Sequence, residues 1–392
     1  MNRASTTVSV AGVGTAGFAR HSGVSAIALA DIALTEALDD CGLSRASVDG
    51  LLVHIGSPRG ADYDTLARML GLYVGFAGQT WAHGRFTGTI IQHAVLALAH
   101  GLAEYVVCLA TFRNSVWGRH GTTGFPDFAE AIREGGGPHA ETLPAGLAAP
   151  IGGAAMAAQR YMHVYGVDAA KLGAVALAQR RAALQNPLAV MREPLDLATY
   201  LRSPFVVEPL RRLDCSVPVD TAVAVVLTRA DRARDMPRPP VDVLGFQGLS
   251  AGPDEFVFGP PGLGVHQVSA VNRRPEGAAQ AVFRTTGLTP ADIDTLHCYD
   301  GFSPQVLWTL ERFGFCPAGE SADWVQGGRI EIDGELPVNT SGGHLSEGHS
   351  NGWGQTIEIV RQLRGEAGPR QVNDCQTAMW ATTFGDAIIY GR

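Results

Sequence analysis

Charge is scarce in this sequence, and lysine is almost absent. Only 17% of the 392 residues are Asp, Glu, Lys or Arg, against about 25% in an average globular chain, so charge-driven disorder is excluded. Lys171 is the single lysine among 30 basic residues. A Schiff-base mechanism therefore has one candidate, and it sits in an ordinary helical pattern, DAAKLGAVALAQRRAAL. The six cysteines, Cys41, Cys108, Cys215, Cys298, Cys316 and Cys375, form no CxxC pair. That excludes a zinc knuckle or a disulfide scaffold and leaves reduced thiols as the expectation. There is no apolar run of about 18 residues, and the opening MNRASTTVSVAGVGTAGFAR lacks the core of a secretion signal. A cytoplasmic protein with no membrane partner is expected. The 48 glycines follow no G-X-Y period, so they read as tight turns between close-packed layers. A net charge of -8 lacks the concentrated positive charge that nucleic-acid backbones demand.

What the chain does have is an internal repeat. GLSRASVDGLLVH at 42–54 and GLTPADIDTLHCY at 287–299 each follow an Ala-rich helical run and end in a buried strand. Gly88 to Gly101 and Gly352 to Gly365 enclose a second pair of apolar segments of equal length. The same order of elements twice predicts a duplicated α/β chain, with halves 1–235 and 236–392. The junction is placed at ADRARDMPRPPVD, residues 230–242, and a less regular insertion rich in Gly, Pro and charge at about 113–215. The helix starting near Gly88 and the strand EYVVCLATF are apolar enough to predict a dimer surface on the first half.

Three segments, at 203–227, 297–320 and 334–366, resemble the thiolase superfamily, nearest the sterol-carrier-protein and lipid-transfer-protein thiolases. The last reads GELPVNTSGGHLSEGHSNGWGQTIEIVRQLRGE. The resemblance implies two halves in a five-layer αβαβα body with an inserted loop domain, a homodimer, and acyl-CoA thioester chemistry. The family's acylated cysteine falls at Gly84, with Thr87 and Thr89 nearby. Its H-D-C-F motif reads Tyr299-Asp300-Gly301-Phe302, and its G-H-P motif reads Gly348-His349-Ser350. A missing cysteine beside Tyr-Asp-Gly-Phe is similar to the lipid-transfer-protein-type aldolases of steroid side-chain degradation, where a tyrosine usually stands at the position of His349. By that resemblance a small zinc-ribbon and OB-fold protein is the expected partner, in a heterotetramer. Coenzyme A enters as part of the substrate, and no tightly bound cofactor is expected.

Retro-aldol cleavage needs a base for the β-hydroxyl, donors for the thioester enolate and an acid for the α-carbon, but no acyl-enzyme. An imidazole titrates near 6.5 and a phenol near 10 in general, so His349 is read as base and Tyr299 as acid or oxyanion donor, with the reverse open. Asp300 is read as an orienter. Gly342 and Gly343, with Asn339 before them and His344 after, are assigned to oxyanion or substrate binding. His297 reads as a strand histidine, and Cys375 as either the family's C-terminal reactive thiol or a buried one. His344, Glu347 and His349 as metal ligands are a further alternative, though the spacing supplies no third cluster. Arginines in RRAAL, MREPL and EPLRRL, beginning with Arg180, are candidate phosphate anchors. Two other functions stay open: a Claisen-type acyltransferase, which would need a nucleophile, and a non-catalytic acyl-CoA or lipid-binding subunit.

Overall fold

The computed structural model describes residues 7–55, 61–80, 87–117, 150–250 and 277–392. The first half runs β1 Val8–Thr15, α1 Ala26–Cys41, β2 Gly50–Ile55, α2 Tyr63–Leu70, β3 Phe76–Thr80, α3 Thr87–Ala99 and β4 Tyr105–Arg113. Then come α4 Pro150–Tyr165, α5 Ala169–Leu184, α6 Leu197–Arg202, the short strands β5 Phe205–Val207 and β6 Leu210–Arg211, and β7 Asp220–Arg229. The remainder is α7 Ala230–Ala233, β8 Val241–Gln247, α8 Ala281–Thr286, β9 Thr295–Cys298, α9 Pro304–Arg312, α10 Ser321–Trp324, α11 Gly343–Ser346, α12 Trp353–Arg364, β10 Thr377–Ala381 and β11 Ala387–Gly391.

Local chemistry explains why the repeat folds alike twice. In α1 the Ser25 hydroxyl caps Ala28 N at 3.1 Å, and Gly42 ends the helix at φ 71. Leu34, Ala37, Leu38 and Cys41 form its buried stripe. In α8 the same stop is made by Gly287 at φ 75, followed, as after α1, by a 3₁₀ turn and a strand.

Among the described residues nine strands form one sheet, in the order β3-β2-β4-β7-β1-β8-β11-β10-β9. Outward from the β1–β8 contact the order is a mirror image. On both sides the first two pairings are antiparallel and the next is parallel. Among the described residues β3 has no counterpart on the other side. The seam itself is three residue pairs long, Val8 to Val10 against Val243 to Val241.

Alternation along the strands divides the core into layers. Val107 and Leu109 of β4 face α1, while Val106, Cys108 and Ala110 face α3 and α12. Trp380 of β10 and Ile388 of β11 also face α3 and α12, whereas Met379 and Ile389 face α4, α5 and α9. Helix, sheet, helix, sheet and helix therefore follow one another, with α3 and α12 in the middle.

The structure departs from the sequence expectations in two places. The apolar strand EYVVCLATF is not a dimer surface: β4 lies inside the sheet between β2 and β7, so its apolarity is used within the chain. The insertion is more regular than its composition suggests, since its residues from 150 onward form two helices of 16 residues each. Asp168 caps the second, and Lys171 on it is ion-paired with Asp323. Residues 118–149, which carry most of the glycines of the insertion, lie outside the described residues. Among the described residues no helix is long and apolar enough to cross a membrane.

Candidate active site

Strands β9 and β10 run parallel, Cys298 pairing with Ala381, and Tyr299 N bonds Ala381 O at 3.2 Å just past their ends. The central helices begin at the same place, where the Thr87 hydroxyl of α3 donates to Asn351 O just before α12. The loop from Asn339 to Gly352 closes the site. It takes positive φ at Asn339, Gly342, Gly343, Gly348, Asn351 and Gly352, which accounts for its glycine-rich spelling.

Tyr299 and His349 meet here. The phenol oxygen is 3.2 Å from His349 Nε2. Backbone bonds fix the imidazole: His349 N donates to Val217 O at 2.8 Å, and Asn114 Nδ2 donates to His349 O at 3.1 Å. The rings of Tyr299, His344 and His349 are mutually edge-on, and Phe384 lies 5.9 Å from Tyr299.

Asp300 is fully buried and is ringed by donors. Its Oδ1 accepts from His344 N and from Gln355 Nε2, both at 3.0 Å. His344 Nε2 accepts the Gly352 N–H at 2.8 Å, so the ring proton sits on Nδ1. That nitrogen lies 2.9 Å from Asp300 Oδ1, an electrostatic contact rather than an aligned hydrogen bond. Both His344 nitrogens are thereby engaged inside the protein.

Other expected site residues are placed differently. A Cβ on Gly342 would stand 2.7 Å from Ala183 of α5, and one on Gly343 would stand 2.3 Å from Asp300 Oδ2. The two glycines thus make room for the protein itself rather than for a thioester. Asn339 spends its amide on the Cys298 backbone, at 2.8 and 3.1 Å. His297 points to the buried side of β9 near Glu358, and burial pushes its imidazole down to about 4. Cys375 lies before β10, at the opposite end of that strand from Tyr299. Six residues of largely extended chain, roughly 20 Å, separate it from Ala381. Burial pushes its thiol up to about 12, leaving it a poor nucleophile. Arg180 is buried and bonded to Ser346 Oγ and Glu193 O, both at 3.0 Å. Thr87 is committed to Asn351 O, and Gly84 lies outside the described residues.

Among the described residues no group of three or more His, Cys, Asp and Glu is placed to hold a metal ion. The Glu347 carboxylate turns instead to Ser341 and Asn186. Sequence reading missed Asn114, Gln355 and Phe384. Gln355 alone carried a signal, in the first turn of a helix opening with Gly-Trp-Gly.

Two halves of repeated topology whose central helices begin beside a phenol–imidazole pair define a thiolase-like protein. Residues 266–387 match the family described as Thiolase C-terminal domain-like. The chain is 36% identical over 364 residues, 91% of each protein, to the 17-hydroxy-3-oxo-4-pregnene-20-carboxyl-CoA lyase of Mycobacterium tuberculosis. It is 34% identical to the steroid side-chain-cleaving aldolase of Thermomonospora curvata, over 91% of this chain and 90% of that one. A solved Ltp2-ChsH2(DUF35) aldolase superposes with a TM-score of 0.84 at 32% identity, covering 98% of both chains. Human mitochondrial 3-ketoacyl-CoA thiolase shares the fold at a TM-score of 0.68 and 18% identity, covering 99% of this chain and 98% of that one. The chain belongs to the lipid-transfer-protein-type aldolases of the thiolase superfamily.

Proposed function

We propose that this protein is a thiolase-fold aldolase that makes or cleaves a C–C bond in a β-hydroxyacyl-CoA thioester, with Tyr299 and His349 moving the protons. The observation that carries the reading is the 3.2 Å contact between phenol and imidazole. In the cleavage direction His349 takes the β-hydroxyl proton, the Cα–Cβ bond breaks, and a carbonyl compound leaves with its oxygen as C=O. The electron pair stays on the thioester as an enolate, which a proton delivered through Tyr299 converts to the shortened acyl-CoA. No step needs a covalent acyl-enzyme, in keeping with thiols that burial keeps protonated. Asp300 is assigned a positioning role, its carboxylate accepting from the His344 backbone N–H.

The two curated relatives are named for steroid substrates, one of them a hydroxylated steroid carboxyl-CoA, and a steroid acyl group is the substrate class we assign. The likeness to a solved Ltp2-ChsH2(DUF35) aldolase supports a DUF35-type partner; that it is of the zinc-ribbon and OB-fold kind, in a heterotetramer, is our assignment from the family resemblance. Homodimerisation is assigned to the β3 edge, which no other strand pairs among the described residues, and to the neighbouring face of α3. A groove of about 360 Å³ there is lined by Phe76, Ile90, Leu96 and Leu102, and Leu96 and Leu102 are 48% and 60% exposed.

The test is a panel of β-hydroxyacyl-CoA thioesters, steroid and straight-chain, incubated with the chain alone and with a DUF35-type partner. Product masses should show a carbonyl fragment and a shortened acyl-CoA, with no adduct on the protein. A stable acyl adduct on a cysteine would replace the aldolase reading with Claisen-type acyl transfer. Full activity of the unaccompanied chain would remove the partner requirement, and a monomer in sedimentation at micromolar concentration would remove the homodimer.

A further inference from the structure

Glu347 stands between His344 and His349 in the closing loop and takes no part in the proton transfers above. It is 4% exposed. A carboxyl group in such a place costs more than an apolar side chain of like size unless both oxygens are used. Here both are used, on different segments. Oε1 accepts from Asn186 Nδ2 at 2.9 Å, and Oε2 accepts from Ser341 Oγ at 2.8 Å. Asn186 also donates to Ser341 O at 2.8 Å and accepts from Leu188 N at 3.0 Å, so its amide ties the insertion to the loop at two points.

The backbone repeats the attachment. Val190 N donates to Glu347 O at 3.2 Å, and Met191 N donates to Ser346 O at 3.0 Å. One residue further on, Gly348 at φ 150 passes so close to Val219 that a Cβ would stand 2.8 Å from its side chain. His349 is then pinned to Val217 O. Between Glu347 and His349 in the chain there is one residue, Gly348, so the attachment of Glu347 and the placing of His349 belong to one short stretch of loop.

We infer that Glu347 is a positioning residue: with Asn186 and Ser341 it clamps the loop bearing His349 to insertion segment 186–191 and so holds the imidazole at the Tyr299 hydroxyl. The role in turnover rests on the assignment of Tyr299 and His349 as the reacting pair; the clamp itself does not.

The test uses E347A, E347Q, N186A and the double variant E347A/N186A in the full-length protein. Steady-state kinetics is measured together with NMR of ¹⁵N-labelled histidine, His349 being assigned by its loss in H349A. E347A and N186A should each lower kcat about tenfold or more with KM within about threefold, because a misplaced group costs turnover more than binding. Each should also move the titration midpoint of the His349 resonance. E347Q keeps an acceptor for Asn186 and offers a donor to Ser341 Oγ, so it should restore kcat to within about threefold. The double variant should be no worse than E347A, since the two groups act as one clamp.

An E347A protein with kcat within about twofold of the wild type and an unmoved His349 resonance would overturn the inference. So would losses in the double variant that multiply. If E347A does not fold, N186A and E347Q decide the matter by the same two readouts. If H349A turns over normally while E347A still shifts the His349 resonance, the reacting pair is wrong and the clamp stands.

Discussion

The Tyr299 hydroxyl and His349 Nε2 share one hydrogen bond of 3.2 Å across fifty residues of sequence. A change of protonation on either group alters what it can donate to or accept from the other.

Tyr299→Phe keeps the ring against Phe384 and deletes only the hydroxyl. Turnover of a β-hydroxyacyl-CoA should fall about 100-fold or more with an unchanged melting curve, and His349→Ala should match it. Near-wild-type rates in the Phe variant would remove the phenol from the chemistry.

Cys375→Ser and Cys298→Ser should retain most activity. Burial pushes the Cys375 thiol up to about 12 and raises the Cys298 thiol well above its ordinary value. Neither should react with iodoacetamide in the folded protein near neutral pH. Rapid alkylation accompanied by loss of turnover would point to a thiol mechanism.

Gly343→Ala should fold poorly or not at all. The backbone sits at φ 56, and the added methyl would lie 2.3 Å from Asp300 Oδ2. The left-handed backbone alone costs about 1–2 kcal/mol for a side-chain-bearing residue. A variant melting within about 2 °C of the wild type would show that Asp300 can move aside.

Glu347 also makes a prediction about pH. Burial, first, and the neighbouring Glu358 push its carboxyl up to about 7, while Ser341, Asn186 and Arg370 oppose the shift. The folded state therefore holds this proton more tightly than the unfolded chain. Its stabilising contribution is complete below an ordinary carboxyl value and is lost as pH rises through about 7. Glu347→Gln, which stays neutral, should gain stability relative to the wild type between pH 5 and pH 8, by on the order of 3 kcal/mol. Parallel melting profiles for the two proteins across that range would contradict the shift.

Arg370 bonds Glu358 at 2.9 and 3.1 Å, and although burial works against it, this pairing holds the carboxyl below its ordinary value. Arg370→Met should cost about 3–5 kcal/mol by leaving a buried charge alone, and removing Glu358 as well should recover much of it. Urea titration of the single and double variants decides; equal losses would mean the pair carries no such coupling.

Much of this was legible because it is local. The Gly42 and Gly287 helix stops, the 3₁₀ turns after them and the strands that follow are written in a dozen residues each. The glycine-rich spelling of 342–352 marks a loop of left-handed turns. What could not be read depends on register and long-range pairing. Without knowing that β10 runs from Cys375 toward Tyr299, nothing shows that the thiol lies at the wrong end of the strand. The Glu347–Asn186 bond joins positions 161 residues apart, and no periodicity announces it. Helix α4, spelled PIGGAAMAAQRYMHVY, has a glycine pair in its first turn that obscures its pattern.

The place of β1 in the sheet carries a consequence for how the protein is born. This strand, the first described, pairs on one side with β7, Val8 opposite Arg229, and on the other with β8, Val8 opposite Val243. At roughly 5–20 residues per second, a ribosome needs on the order of 10 to 50 seconds to deliver those partners after β1 emerges. Until then the apolar VSVAGVGT has helices to lie against, α1 on one face and α3 on the other, but no neighbouring strand. The nascent chain thus passes through a long interval with both edges of its central strand open, and an arrest before residue 220 leaves that strand permanently without its sheet.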